Sequence, residues 1–348
     1  MSMNKMFKKV LAVVAAGAMT MGMAMPTFAA PGVKTTEAWI TKTYNTEVGK
    51  AETFSFTAEQ VKTGTGIITT DAVVTMPTIS FTADETGTKS KRGQITFPTY
   101  QEAGKYEYTV KESDTVTPAV TNGDHEKMIM SQAEYTMDVY VTDGKNGPEI
   151  SNIVVNKTKN DAGQTATGKV DISNTDDNDF KFTNTYVQEA GTGTDPTSPD
   201  PNYTENGALK VSKTIDAQGE TPSATDSFSF TATFVFPEGT DANTLGGVKG
   251  NEADVSLTEG AYTFTLKHGD KMKFTGLPVG TKITVTEAGA ANYKGSAEVF
   301  LDNVKQDTVA ASKYNELLKA VTDGKLGQNR NTVDVTIHTT MYQQLVLS

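Results

Sequence analysis

Downstream of its first thirty residues the chain runs as short stretches in which apolar and polar positions alternate, each bounded by Gly, Asp or Asn. Alternation with a period of two marks a strand with one buried face. In the first half the clearest runs are Thr53–Thr57, Gln94–Phe97, Tyr106–Glu112, Tyr135–Thr142 and Asp179–Tyr186, and residues 143–147 (Asp-Gly-Lys-Asn-Gly) predict a hairpin turn. The stretch from Gly191 to Pro201 has no apolar residue and three prolines, which predicts a semi-extended linker. Alternation resumes at Leu209–Ile215, Ser227–Phe236, Ala261–Lys267 and Lys282–Glu287. Between Ser312 and Asp323, Tyr314, Leu317, Leu318 and Val321 recur at helical spacing and predict a short helix before the last strand. The pattern as a whole predicts an all-β chain with two tandem immunoglobulin-like β-sandwiches at residues 30–188 and 207–348, joined by a linker at 189–206.

Composition sharpens this picture. The 56 threonines among 348 residues suit strands, because a β-branched side chain tolerates the half-wet face of a sheet. Lys and Arg number 31 against 42 Asp and Glu, and the resulting charge of −11 argues against nucleic-acid or anionic-membrane binding through phosphate neutralisation. The chain has no cysteine, which excludes disulfides, thiolate metal sites and cysteine nucleophiles. His125, His268 and His338 stand in no metal-ligand spacing, and the acidic run Asp176–Asp179 lacks the later glutamate of a calcium loop. No cofactor or metal site is expected. Lys5, Lys8 and Lys9, the apolar stretch Val10–Met23 and the small-x-small triplet Thr27-Phe28-Ala29 form a signal peptide over residues 1–29, so the protein is expected to be exported. Small exported domains commonly rely on disulfides, and a chain without cysteine must do without cross-links or use another kind.

Strand parity points to one. In Trp39–Tyr44 the face carrying Ile40 and Tyr44 also carries Lys42, and in Leu209–Ile215 the face of Leu209, Val211 and Ile215 carries Lys213. The same test aims Glu112 inward behind Tyr106, Tyr108 and Val110, and Glu287 inward behind Ile283 and Val285. Asn184 shares its face with Phe182 and Tyr186. A single inward lysine reads as a strand-end residue whose stem snorkels to water, but the set recurs in both domains. Burial lowers a lysine pKa and raises a glutamate pKa, leaving a neutral amine beside a neutral acid. Such an amine is able to attack an asparagine amide carbon while the acid polarises the carbonyl and shuttles a proton to the departing ammonia. The product is an internal Lys–Asn isopeptide bond.

These motifs carry a family resemblance. Gly104–Glu112 (GKYEYTVKE) followed by Phe182–Tyr186 (FTNTY) resembles the streptococcal pilin isopeptide-linkage domain of Gram-positive pilus shaft subunits. Gly276–Glu287 (GLPVGTKITVTE) resembles the B-type repeat of collagen-adhesin proteins. The resemblance implies Lys42 as amine donor, Glu112 as catalytic acid and base, and Asn184 as acceptor. In the second domain it implies Lys213 and Glu287, but Ile337 stands where the family pattern has asparagine, and Asn331 is a weak substitute. It also implies head-to-tail polymerisation with other pilin subunits by a sortase. Lys169 is the candidate acceptor lysine, with a solvated strand-end lysine as its plainer reading.

The segment from Ile337 to Ser348 fits no strand, cap or anchor, and the expectation is that the chain ends truncated or in a frameshift. Restoring one adenine after the Thr336 codon lets permitted codons read on as Asn-Thr-Tyr and then Val-Pro-Thr-Ala-Gly, similar to a sortase motif. The leading expectation is therefore a structural pilus subunit at the cell surface whose only chemistry is its own single-turnover cross-linking. The alternative is a wall-associated adhesin of the same domains that binds host surface ligands. A glycosidase is disfavoured because the two inward carboxylates lie in separate sandwiches.

Overall fold

The computed structural model describes residues 35–339. The expected signal peptide and the segment after Thr339 lie outside the described residues. Two all-β sandwiches follow one another, with strands from Trp39 to Gln188 in the first and from Leu209 to Thr339 in the second. Among the described residues the only helix is the short Asn202–Asn206.

In the first sandwich one sheet runs, in spatial order, Gly87–Gln94, Trp39–Thr46, Lys181–Gln188 and Glu126–Ile129. The facing sheet runs Thr165–Lys169, Gly147–Lys159, Glu134–Gly144, Gly104–Glu112 and Phe56–Gln60. The predicted hairpin is present, with Gly144 paired to Gly147 across Lys145 and Asn146. The first strand lies parallel to the last, with Lys42 opposite Phe182 and Tyr44 opposite Asn184. Parity does the rest: Ile40, Tyr44, Tyr106, Tyr108, Val110, Tyr135 and Phe182 fill the space between the sheets.

The second sandwich repeats the plan. Leu209–Asp216 lies parallel to Thr332–Thr339, flanked by Lys271–Thr275 and Tyr293–Leu301. The facing sheet runs Ala261–Leu266, Phe228–Val235, Lys282–Glu287 and Leu318–Lys325. Lys213 stands opposite Val335 and Ile215 opposite Ile337.

Four expectations are corrected. Gln94–Phe97 is not a strand: Gln94 ends the strand Gly87–Gln94, and beyond it Thr96 makes only an isolated bridge with Thr75. The segment after Gln188 is not a free linker: Ala190 and Thr192 are buried, and the Ala190 and Gly193 amides donate to Leu277 O (2.9 Å) and Gln328 O (2.8 Å) of the second sandwich. Gly191 permits this close path, since at its φ of +79° a Cβ would stand 2.2 Å from Gly207 O. Glu189 is buried in the same junction, accepting from His125 Nδ1 at 2.5 Å, from the Tyr203 hydroxyl at 2.8 Å and from the Gly276 amide at 2.5 Å. The helix expected at Ser312–Asp323 is replaced by the strand Leu318–Lys325 paired with Lys282–Glu287. Strand alternation buries Leu318 and Ala320 there, whereas Tyr314 and Leu317 are 43% and 47% exposed. The last strand continues through Ile337 to Thr339, with Ile337 only 2% exposed, so these residues do form a strand.

Candidate cross-linking site

Lys42, Glu112 and Asn184 meet between the two sheets of the first sandwich. Lys42 and Asn184 are 0% exposed, and the Glu112 side chain is 1% exposed. Lys42 Nζ lies 2.8 Å from Glu112 Oε1 and 4.2 Å from the centre of the Phe54 ring. Asn184 Nδ2 donates to the same Glu112 oxygen at 2.9 Å. Its Oδ1 accepts from the Ser131 amide at 2.8 Å. Each side chain is delivered by strand alternation: Lys42 shares a face with Ile40 and Tyr44, Glu112 with Tyr108 and Val110, and Asn184 with Phe182 and Tyr186.

Burial outweighs the attraction of Glu112 and pushes the Lys42 amine down to about 8, while burial pushes Glu112 up against the opposing pull of Lys42 and Asn184. Both shifts favour the neutral form of each group over its ordinary charged form, and the amine is nucleophilic only when neutral. Glu112 Oε2 has no hydrogen-bond partner, consistent with one oxygen handling both nitrogens.

The second sandwich holds the corresponding amine and acid. Lys213 Nζ contacts Glu287 Oε1, and it lies 4.2 Å from the centre of the Phe228 ring. Burial pushes Lys213 down to about 8 and Glu287 up. The supporting registers also correspond: Phe56 is opposite Glu112, and Phe230 is opposite Glu287. Two residues beyond each lysine, however, the last strand offers Asn184 in one case and Ile337 in the other.

Asn331 does not substitute. Its Nδ2 donates to Ala208 O, Gly327 O and Asn329 O at 2.9–3.1 Å, and its Oδ1 accepts from the Asp302 and Gly327 amides at 2.9 and 3.0 Å. Its amide is spent on tying loops together, four residues before Val335, the partner of Lys213. Lys169 is exposed on the edge strand Thr165–Lys169. Within the acidic run, Asp176 pairs with Arg92 at 2.9 Å, whereas Asn178 is buried and donates to Trp39 O at 2.9 Å and Ser173 O at 2.7 Å. Among the described residues no cluster of three His, Cys, Asp or Glu is arranged to hold a metal ion.

Sequence reasoning missed Ser131, which binds the acceptor carbonyl, and Asp161, which accepts from Ser131 Oγ and from the Thr183 amide at 2.9 Å. Both lie outside the alternating strands, and their placement follows from contacts across more than twenty residues of chain.

Residues 38–187 match the family of Spy0128-like isopeptide containing domains, and all three converging residues fall within that span. The first sandwich belongs to this family. Downstream of the isopeptide domain, residues 207–333 match a domain of unknown function, DUF7601. Solved structures similar to the chain include the major pilin of Streptococcus pyogenes, at 20% identity over 87% of this chain and 98% of that one with a TM-score of 0.35. The T-13 major pilin of the same species is similar at 20% identity over 88% and 98%, with a TM-score of 0.33. A Mobiluncus mulieris adhesin containing intramolecular disulfide, isopeptide and ester bond cross-links is similar at 15% identity over 84% and 85%, with a TM-score of 0.26. No curated protein matches the chain.

Proposed function

We propose that the protein is a structural subunit of a surface pilus whose isopeptide domain cross-links itself through Lys42 and Asn184. The observation that carries this reading is the convergence of a buried amine, a buried acid and a buried carboxamide at hydrogen-bonding distance, inside a domain of the isopeptide family. The bond joins the first strand to the last, so tension along the chain is borne by a covalent link between neighbouring parallel strands. Its formation removes two buried ionisable or polar groups whose retention is costly and leaves a neutral amide.

In this reading a sortase joins subunits head to tail, and Lys169, exposed on an edge strand, is the acceptor. The test is the size of the protein in cell-wall extracts of the native host after boiling in detergent. A ladder of high-mass species that collapses to one subunit in a sortase-deficient strain is expected. A single subunit-sized band in the wild-type strain contradicts assembly. Retention of the ladder after Lys169→Ala reassigns the acceptor.

A further inference from the structure

The amide of Asn184 has a fixed sense. A backbone N–H only donates, so the atom 2.8 Å from the Ser131 nitrogen is the carbonyl oxygen. The Asn184 nitrogen therefore faces Glu112 Oε1 at 2.9 Å, with Met130 Sδ at 3.3 Å as its second contact. Glu112 Oε1 also holds Lys42 Nζ. One carboxylate oxygen thus touches both the nitrogen that attacks and the nitrogen that leaves. The oxygen on which negative charge develops does not face that carboxyl group. It faces Ser131.

We propose that the Ser131 amide is the oxyanion donor of the cross-linking reaction and that Asp161 is its positioning residue. The proposal rests on the reading of Lys42 and Asn184 as a cross-link and deepens it, by separating proton transfer from carbonyl polarisation. Lys42 Nζ attacks Asn184 Cγ, and charge accumulates on Oδ1 against the Ser131 N–H. Glu112, as the neutral acid, gives its proton to Nδ2 and takes one from Nζ, the Cγ–Nδ2 bond breaks, and amine plus carboxamide become amide plus ammonia. A fixed dipole in a buried site needs little reorganisation as the charge develops.

Asp161 fixes that dipole from two sides. One of its carboxylate oxygens accepts from Ser131 Oγ and from the Thr183 amide at 2.9 Å, and its backbone carbonyl accepts from the Gln132 amide at 2.9 Å. Ser131 and Gln132 belong to the loop that carries the donor, and Thr183 immediately precedes the acceptor. The carboxylate ties the donor loop to the acceptor strand one residue from the reacting carbon.

The test is the rate of ammonia loss from the full chain made by cell-free synthesis, quenched at intervals and read by intact mass. Replacing the Ser131 amide by an ester through nonsense suppression with the α-hydroxy acid counterpart of serine deletes the donor while keeping the side chain, and is expected to slow the reaction about a hundredfold or more. Asp161→Ala is expected to slow it about tenfold or more through misplacement. Asp161→Asn keeps an acceptor oxygen and is expected to retain a rate near wild type. An ester variant reacting at the wild-type rate overturns the oxyanion role. An Asp161→Asn chain as slow as Asp161→Ala assigns the effect to the Asp161 charge near Lys42 and overturns positioning. Unlinked Glu112→Ala and Glu112→Ala/Asp161→Ala chains are expected to unfold within a few degrees of each other, and loss of the fold in the double variant also overturns positioning. A wild-type chain that never loses ammonia contradicts the cross-link itself, a result none of the variant comparisons produces.

Discussion

The two sandwiches place the same amine and acid at the same point between their sheets and differ at the residue that would consume them. In the first, Lys42, Glu112 and Asn184 share hydrogen bonds, and in the second Ile337 holds the register position that Asn184 holds in the first, two residues beyond the partner of the lysine. A ring lies 4.2 Å from each lysine nitrogen, Phe54 in the first and Phe228 in the second, and Lys213 has Phe230 at 5.7 Å besides. Taking an ion pair out of water costs several kcal/mol per charge, and attraction recovers it only when the remaining polar atoms are satisfied. In the first domain a reaction can remove the problem. In the second the pair persists, a burden on stability that an acceptor would lift.

The largest expected effect is on the first domain. Glu112→Ala should abolish ammonia loss and lower stability on the order of 4 kcal/mol, as for a disulfide closing a long loop, measured by denaturant unfolding alongside intact mass. A linked Glu112→Ala chain would show that the carboxylate is not the proton shuttle. The complementary change, Ile337→Asn, should add a second ammonia loss and raise the stability of the second domain by a similar amount, about 4 kcal/mol. If the new asparagine is present, folded and unreacted, the acceptor is not the only difference between the domains. Smaller again is the effect of breaking the second pair: Glu287→Leu alone should cost about 3 kcal/mol, whereas Lys213→Met with Glu287→Leu should be neutral or stabilising by about 1 kcal/mol. A double variant as unstable as the single one would show that the ion pair stabilises the domain.

The smallest effect concerns pH. Lys213 is held down to about 8 in the folded state against an ordinary 10.5, so above pH 8 the unfolded chain binds more protons at this site. Stability of the second domain should therefore rise between about pH 8 and 10.5 relative to Lys213→Met. Lys42, once in an amide, should contribute no such rise, and an equal rise referred to Lys42→Met would argue against its conversion.

What the sequence made legible follows from the period of two. Lys42, Glu112 and Asn184 could be read as inward because each sits among apolar neighbours of its own parity. The strand Gly87–Gln94 was not legible, because its residues, GTKSKRGQ, form an exposed edge with no apolar alternation. Helical spacing around Leu317 misled because two of its four apolar residues, Tyr314 and Leu317, turn to solvent. Ser131 and Asp161 had no signal: they reach the site through hydrogen bonds between segments distant in sequence, which no local pattern encodes. The junction at Glu189 was hidden for the same reason, since its partners His125, Tyr203 and Gly276 come from three separate segments.

The central claim is that the chemistry completed in one domain is halted in the other by a single side chain. The most direct measurement is the accurate intact mass of the purified mature chain, with peptide mapping of any linked residues. The expected result is a mass one ammonia below that calculated for the mature sequence, with Lys42 and Asn184 recovered in one branched peptide. A mass with no ammonia lost, or with two, would contradict it.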